Sequence, residues 1–304
     1  MNFADRLNNA IKIKGSAICV GFDPVLSRIP AEIVKKANDE HGFTLEAAGV
    51  AISEFGRAIF EEVVDHAPVV KLQLAYFEQY GLPGMKAFSE LCQYAKELGL
   101  LVIADGKRND IDSTAEAYAN AYLGKTELFG NSEFVHHIDA LTVTPYLGYD
   151  GIKPFLNVCR EFDKGIFVLV KTSNPSSGDF QDRITEDSVR NFEYIANFVD
   201  SWGADDLGES NYSFVGAVCG ATYPKDLVKL RGIMPNTIFL VPGYGAQGGQ
   251  AQDLKGIFDE DGLGAIVNSS RGIIYAYETA TDLSYREATK NAVLAMKEDL
   301  KKAR

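Results

Sequence analysis

The sequence predicts an α/β chain closed as a (β/α)8 TIM barrel with helical insertions. Eight short, β-branched apolar runs recur along its 304 residues, helix-period patterns separate them, and polar or glycine-rich clusters follow many of the runs. Continuous apolar runs bounded by glycine, proline or polar residues mark strands buried on both faces, as in a parallel sheet covered by helices. An open doubly wound sheet would give fewer strands and a glycine-rich turn after the first. That turn is missing from the sequence.

In chain order the runs are Ser16–Asp23, Val69–Ala75, Leu100–Asp105, Ala140–Pro145, Gly165–Thr172, Phe214–Gly220, Thr237–Pro242 and Gly264–Ser269. After the first, a helical pattern from about Thr44 to His66 carries Ile52, Phe55, Ile59 and Val63 on one stripe, and Pro68 follows its end. Met85, Phe88, Leu91, Ala95 and Leu98 form the next stripe, with Gly99 placed to stop it. Val189, Phe192, Ile195 and Val199 mark a third helix, and Val293, Met296 and Leu300 the last. No low-complexity tract, short repeat or linker divides the chain, so 1–304 reads as a single barrel domain.

Composition narrows the function. Apolar residues at 46% and charged residues at 24% describe an ordered globular chain rather than a disordered one. Acidic residues exceed basic ones by 42 to 30, a net charge of −12, which argues against non-specific nucleic-acid binding. A small anionic substrate would need a local cationic cluster. No run approaches the length of a membrane span. Met1–Arg6 has neither a basic n-region nor an apolar h-region, so no secretory signal and a cytoplasmic location are expected. Cys19, Cys92, Cys159 and Cys219 form no C-x-x-C pair and read as reduced core thiols. His41, His66, His136 and His137 lack metal-ligand spacing.

In a barrel the site lies at the C-terminal ends of the strands, and there the sequence concentrates its chemistry. The first run ends in Gly21-Phe22-Asp23-Pro24, where Asp23 is either a turn-former or an acceptor for a sugar hydroxyl. Lys71 and Gln73 alternate with apolar neighbours and share a face; a lysine facing the interior needs partners. The third run leads into Asp105-Gly106-Lys107-Arg108-Asn109-Asp110-Ile111-Asp112-Ser113-Thr114. Asp105 and Lys107, two apart, face the same way, and Asp110 falls where a helix is expected to begin. The fifth run ends in Lys171-Thr172-Ser173-Asn174-Pro175, with Ser173 placed to bond a polar ring. Pro242-Gly243-Tyr244-Gly245-Ala246-Gln247 and Asn268-Ser269-Ser270-Arg271-Gly272 follow the last two runs. Glycine loops at those two strands commonly present backbone N–H groups to a phosphate, and Arg271 adds a charge-assisted clamp.

This set, collinear from about residue 16 to residue 276, resembles the orotidine 5′-phosphate decarboxylases, in particular the longer, mainly bacterial subfamily. The resemblance implies a cofactor-free barrel, acting as a homodimer, that converts orotidine monophosphate to UMP and CO2 in pyrimidine biosynthesis. It implies a charge network of Lys71, Asp105, Lys107 and Asp110, with Lys107 delivering a proton to C6. Asp110 and Thr114 would reach the partner subunit's site. Asp23 and Lys71 would contact the ribose, Ser173 the pyrimidine, and Gln247 and Arg271 the phosphate, with Pro242 and Ser270 beside them. No metal, flavin or other cofactor is implied. One departure is a long insertion at about Asn174–Asn211. Three rival readings remain: a magnesium-dependent sugar-phosphate decarboxylase or aldolase using Asp112, a Schiff-base aldolase using Lys71 or Lys171, and a phosphate-ligand-binding barrel without turnover.

Overall fold

A computed structural model of the chain describes residues 1–245 and 248–304. Its strands are β1 (Ile18–Phe22), β2 (Val69–Gln73), β3 (Leu101–Arg108), β4 (Thr126–Leu128), β5 (Asn131–Glu133), β6 (Ala140–Val143), β7 (Gly165–Lys171), β8 (Ser213–Cys219), β9 (Thr237–Val241) and β10 (Ala265–Ser269). Eight of them close a parallel barrel in the order β1, β2, β3, β6, β7, β8, β9, β10. These are the eight apolar runs in chain order, and β1, β6, β8, β9 and β10 are buried along their whole length. The fold class expected from the sequence is the fold observed.

Helices Leu45–Val63, Gly81–Glu97, Asp112–Tyr122, Tyr149–Phe162, Asn191–Gly203, Pro224–Ile233 and Tyr285–Leu300 cover the barrel. Their apolar stripes supply the outer core layer; the Phe22 ring meets Phe55, Phe60 and Phe77 at 5.7, 5.6 and 6.2 Å. Helix Tyr285–Leu300 starts with a capping box in which Ser284 and Glu287 each satisfy the other's backbone N–H.

Several elements go beyond the sequence reading. An amino-terminal helix, Phe3–Lys14, is capped by Asn2 and ended by Gly15 in the left-handed region. It packs Phe3 edge-on against Phe167 of β7 at 6.0 Å. Its Arg6 donates to Asp139 just before β6, a fully buried carboxylate that also accepts from Lys96 and the Val102 N–H. That network closes the bottom of the barrel. Strands β4 and β5 form a separate antiparallel hairpin turning at Phe129-Gly130, both at positive φ. The stretch 174–211, expected as one insertion, contains the third helix read from the sequence, Asn191–Gly203, which is the covering helix of that repeat, so the added segment is mainly 172–190.

Candidate functional site

A cavity of about 840 Å³ opens at the C-terminal ends of the barrel strands; β2, β3, β6, β7, β8, β9 and β10 contribute to its lining, and Asp23 joins them just after β1. Its floor holds Lys71 and Gln73 from β2, Asp105 and Lys107 from β3, and Thr142 from β6. Parallel register sets Gln73 directly opposite Asp105. At Lys107 the backbone turns through a left-handed conformation, φ 47°, and the pairing of β3 with β6 shifts register between Ala104 and Arg108. The strand therefore runs on past Asp105, and the following helix begins at Asp112 rather than at Asp110.

Asp105 is the hub. Its Oδ2 accepts from the Lys71 ammonium at 2.7 Å and the Gln73 amide at 2.9 Å. Its Oδ1 accepts from the Lys107 ammonium at 2.6 Å and the Thr142 hydroxyl at 2.9 Å. Thr142 Oγ1 in turn accepts the Lys107 backbone N–H, which anchors the β3 terminus. Burial alone would raise the Asp105 pKa, but the charges of Lys71 and Lys107 override it and hold the carboxylate well below its usual range. Burial likewise disfavours the Lys71 ammonium, yet Asp105 and Asp23 raise its pKa above the ordinary lysine value. Lys71 therefore stays a cation, which is unsuited to the amine nucleophile a Schiff-base aldolase requires. Lys171, the other Schiff-base candidate, is paired with Asp182 at 2.6 Å and does not line the cavity. Burial pushes the Cys19 thiol, beneath the cluster, up to about 12.

Asp23 follows β1 at the cavity rim. Its Oδ1 lies 3.9 Å from the Lys71 amine, too far for a hydrogen bond, and is buried without a hydrogen-bonding partner. Asn268 Oδ1, on the neighbouring strand β10, is in the same state. Buried acceptors left unpaired in a polar cavity are suited to hydroxyl or amide donors of a ligand. A Cβ on Gly21 would come within 1.9 Å of Ser270 Oγ, so only glycine lets β10 bring Ser270 and Arg271 to the cavity.

Of the residues predicted from sequence, Asp23, Lys71, Asp105, Lys107, Ser173, Pro242, Ser270 and Arg271 line this one cavity. Asp110 and Thr114 do not; the Asp110 carboxylate accepts the Ile111 N–H, and Thr114 is exposed on the following helix. Asp112, the metal-ligand candidate of the magnesium-dependent reading, opens the same helix away from the cavity. Gln247 lies outside the described residues. Sequence reasoning missed Thr142, which reads as an ordinary β-branched strand residue, and also Arg28 and Tyr275. The Tyr275 hydroxyl accepts the Val25 N–H at 2.6 Å and donates to the Asp23 carbonyl at 3.1 Å, holding the loop behind Asp23. Arg28 lies over the Tyr275 ring at 3.8 Å and pairs with Glu278 through two hydrogen bonds.

A family model described as Orotidine 5′-phosphate decarboxylase / HUMPS family matches residues 17–284. An orotidine 5′-phosphate decarboxylase of Caldicellulosiruptor bescii is 45% identical over 303 residues, covering 100% of this chain and 99% of its own. The protein of the same name from Rhodopirellula baltica is 43% identical over 307 residues, covering 99% of each. Among solved structures, OMP decarboxylase of Leishmania donovani superposes with a TM-score of 0.74 at 28% identity, covering 100% of this chain and 99% of that one.

Proposed function

The chain belongs to the orotidine 5′-phosphate decarboxylase / HUMPS family, and from that premise we propose that it is a carboxy-lyase converting orotidine 5′-monophosphate to UMP and CO2 without a cofactor. The observation that carries the reading is one buried carboxylate, Asp105, shared by two ammonium groups, Lys71 and Lys107, on the floor of the cavity.

The chemistry asks for such a group. Breaking the bond between C6 and the carboxylate leaves an electron pair in the ring plane, where no adjacent π-system accepts it. Catalysis must then supply on the order of 20 kcal/mol. A fixed ammonium stabilises that charge as it develops and then transfers a proton to C6, forming the C6–H bond of UMP and leaving a neutral amine that solvent reprotonates. Lys107 is half-exposed toward the cavity and tethered by Asp105, so it takes this role. Lys71 is more deeply buried beside Asp23 and holds the ribose end with it. Ser173 faces the ring, and Pro242, Ser270 and Arg271 face the phosphate. Gln247 joins them on the sequence resemblance alone.

The working form is a homodimer with shared sites. Asp110 and Thr114 do not line their own cavity, and Ile111, Tyr146, Leu147 and Tyr149 are exposed apolar side chains in the stretches that follow β3 and β6. We place this reaction in cytoplasmic pyrimidine biosynthesis and read 1–304 as one barrel domain, in which no helix among the described residues is long and apolar enough to cross a membrane. The test is loss of orotate absorbance on adding orotidine monophosphate to purified protein in EDTA. Turnover is expected in wild type and not in Lys107→Ala; full activity in that variant, or activity that EDTA abolishes and Mg²⁺ restores, refutes the assignment.

A further inference from the structure

The segment following β7 is fastened back onto the strand end at two adjacent residues, and the fastening lies beside the side chains assigned to the ring. Gln181 and Thr172 bond reciprocally. The Thr172 backbone N–H donates to Gln181 Oε1 at 3.0 Å, and Gln181 Nε2 donates to Thr172 Oγ1 at 2.7 Å. A backbone N–H can only donate, so the carboxamide's orientation is fixed by the pair. The Thr172 hydroxyl in turn donates a hydrogen bond to Asn174 Oδ1 at 2.6 Å. Next along the chain, Asp182 accepts from the Lys171 ammonium at 2.6 Å, a lysine 1% exposed that lies over the Tyr223 ring at 4.6 Å. Thr172, Ser173, Asn174 and Gln181 all line the cavity.

Between these anchors Ser173 has little freedom. On its far side Gly220 approaches so closely that a Cβ there would sit 3.0 Å from the Ser173 backbone nitrogen. Gly220 also donates its N–H to the Lys171 carbonyl at 2.8 Å. Ser173 is thus held between Gly220, the residue after β8, and the Gln181–Thr172 bonds.

We propose that Gln181 is a positioning residue for recognition of the pyrimidine ring, acting through Thr172 to set Ser173 and Asn174, and that the segment after β7 serves ring discrimination rather than merely covering the cavity. This rests on the reading of Ser173 as the ring contact. The ribose and phosphate end is built from other strands, so loss of the carboxamide weakens ligands that carry the ring and spares those that lack it.

The experiment compares UMP with ribose 5-phosphate by titration calorimetry, in wild type, Gln181→Ala, Gln181→Glu and Thr172→Val. Gln181→Glu keeps the acceptor for the Thr172 N–H and removes the donor to its hydroxyl. Two ordinary hydrogen bonds predict UMP binding weakened on the order of 10-fold in Gln181→Ala, with ribose 5-phosphate changed less than about 2-fold. Gln181→Glu and Thr172→Val fall between, and adding Thr172→Val to Gln181→Ala costs less than Thr172→Val costs in wild type, because the two substitutions share the Gln181–Thr172 hydroxyl bond. In turnover the loss falls on KM for orotidine monophosphate more than on kcat. Equal weakening of both ligands, or unchanged UMP affinity, overturns the proposal. If Gln181→Ala does not fold, Gln181→Glu and Thr172→Val decide it by the same comparison. Failure of wild type to bind UMP would instead overturn the proposed function.

Discussion

Asp105→Asn tests the central electrostatic argument. The substitution keeps shape but removes the charge that both ammonium groups face, at 2.7 Å for Lys71 and 2.6 Å for Lys107. Lys71 is 5% exposed, and its remaining anion, Asp23, is 3.9 Å away. Leaving one member of a buried pair uncompensated costs about 3–5 kcal/mol, so urea unfolding at neutral pH should show a loss of that size. Adding Lys71→Met removes the stranded charge and should recover part of it. The pH dependence is equally specific. In wild type the folded pKa of Asp105 lies below its unfolded value near ~3.9, and that of Lys71 above its unfolded value near ~10.4. The carboxylate's contribution is present above about pH 4 and lost as pH falls through the folded pKa. The ammonium's is present below about pH 10 and lost as pH rises through its folded value. The pair's contribution is therefore flat across neutral pH. In Asp105→Asn, burial governs Lys71 and lowers its folded pKa, so stability should rise with pH toward about 10. Decarboxylation should fall on the order of 10²–10³-fold, as when a preorganised charge-stabilising group is lost. A variant within about 1 kcal/mol of wild type, with a flat pH profile, refutes the reasoning.

Other expectations concern parts of the site. Gly21→Ala forces a methyl into Ser270 and should cost about 1–3 kcal/mol in thermal or urea unfolding while weakening UMP binding. Tyr275→Phe removes the hydroxyl bridging the Val25 N–H and the Asp23 carbonyl, and should raise KM with stability reduced by about 1–3 kcal/mol. Lys107→Ala and Asp110→Ala, each expected to be inactive alone, should regain about a quarter of wild-type activity when mixed and allowed to exchange subunits, since a hybrid of the proposed shared-site dimer would hold one intact site. No recovery in subunits shown to exchange would place Asp110 in its own chain's site.

The legible features of the sequence were those with a local cause. Strands buried on both faces leave continuous apolar runs, and all eight barrel strands were readable. The amino-terminal helix was also readable in principle: Phe3, Leu7 and Ile11 recur on one face between the Asn2 cap and Gly15. At 12 residues it is shorter than the helices that drew the reading, which run to 13, 16, 17 and 19. Asp110 and Thr114 share a motif with Lys107, but nearness in sequence did not bring them into their own chain's cavity. The stripe Val189, Phe192, Ile195 and Val199 marked a helix inside 174–211, but its spacing does not say that this helix is the one covering β7 rather than part of an insertion.

By itself the amino-acid order determined an alternation of strands and helices, and with it the end of the barrel to which Asp23, Lys71, Asp105, Lys107, Ser173 and Arg271 would come. Side-chain periodicity and strand polarity are properties of neighbouring residues, and closure of a parallel barrel sends every strand's carboxyl end to one rim. Which groups then touch was settled only by tertiary structure. Thr142 against Asp105, Tyr275 behind Asp23, and Gln181 on Thr172 are contacts whose distances depend on register, on a left-handed turn at Lys107, and on how far one loop folds back over another.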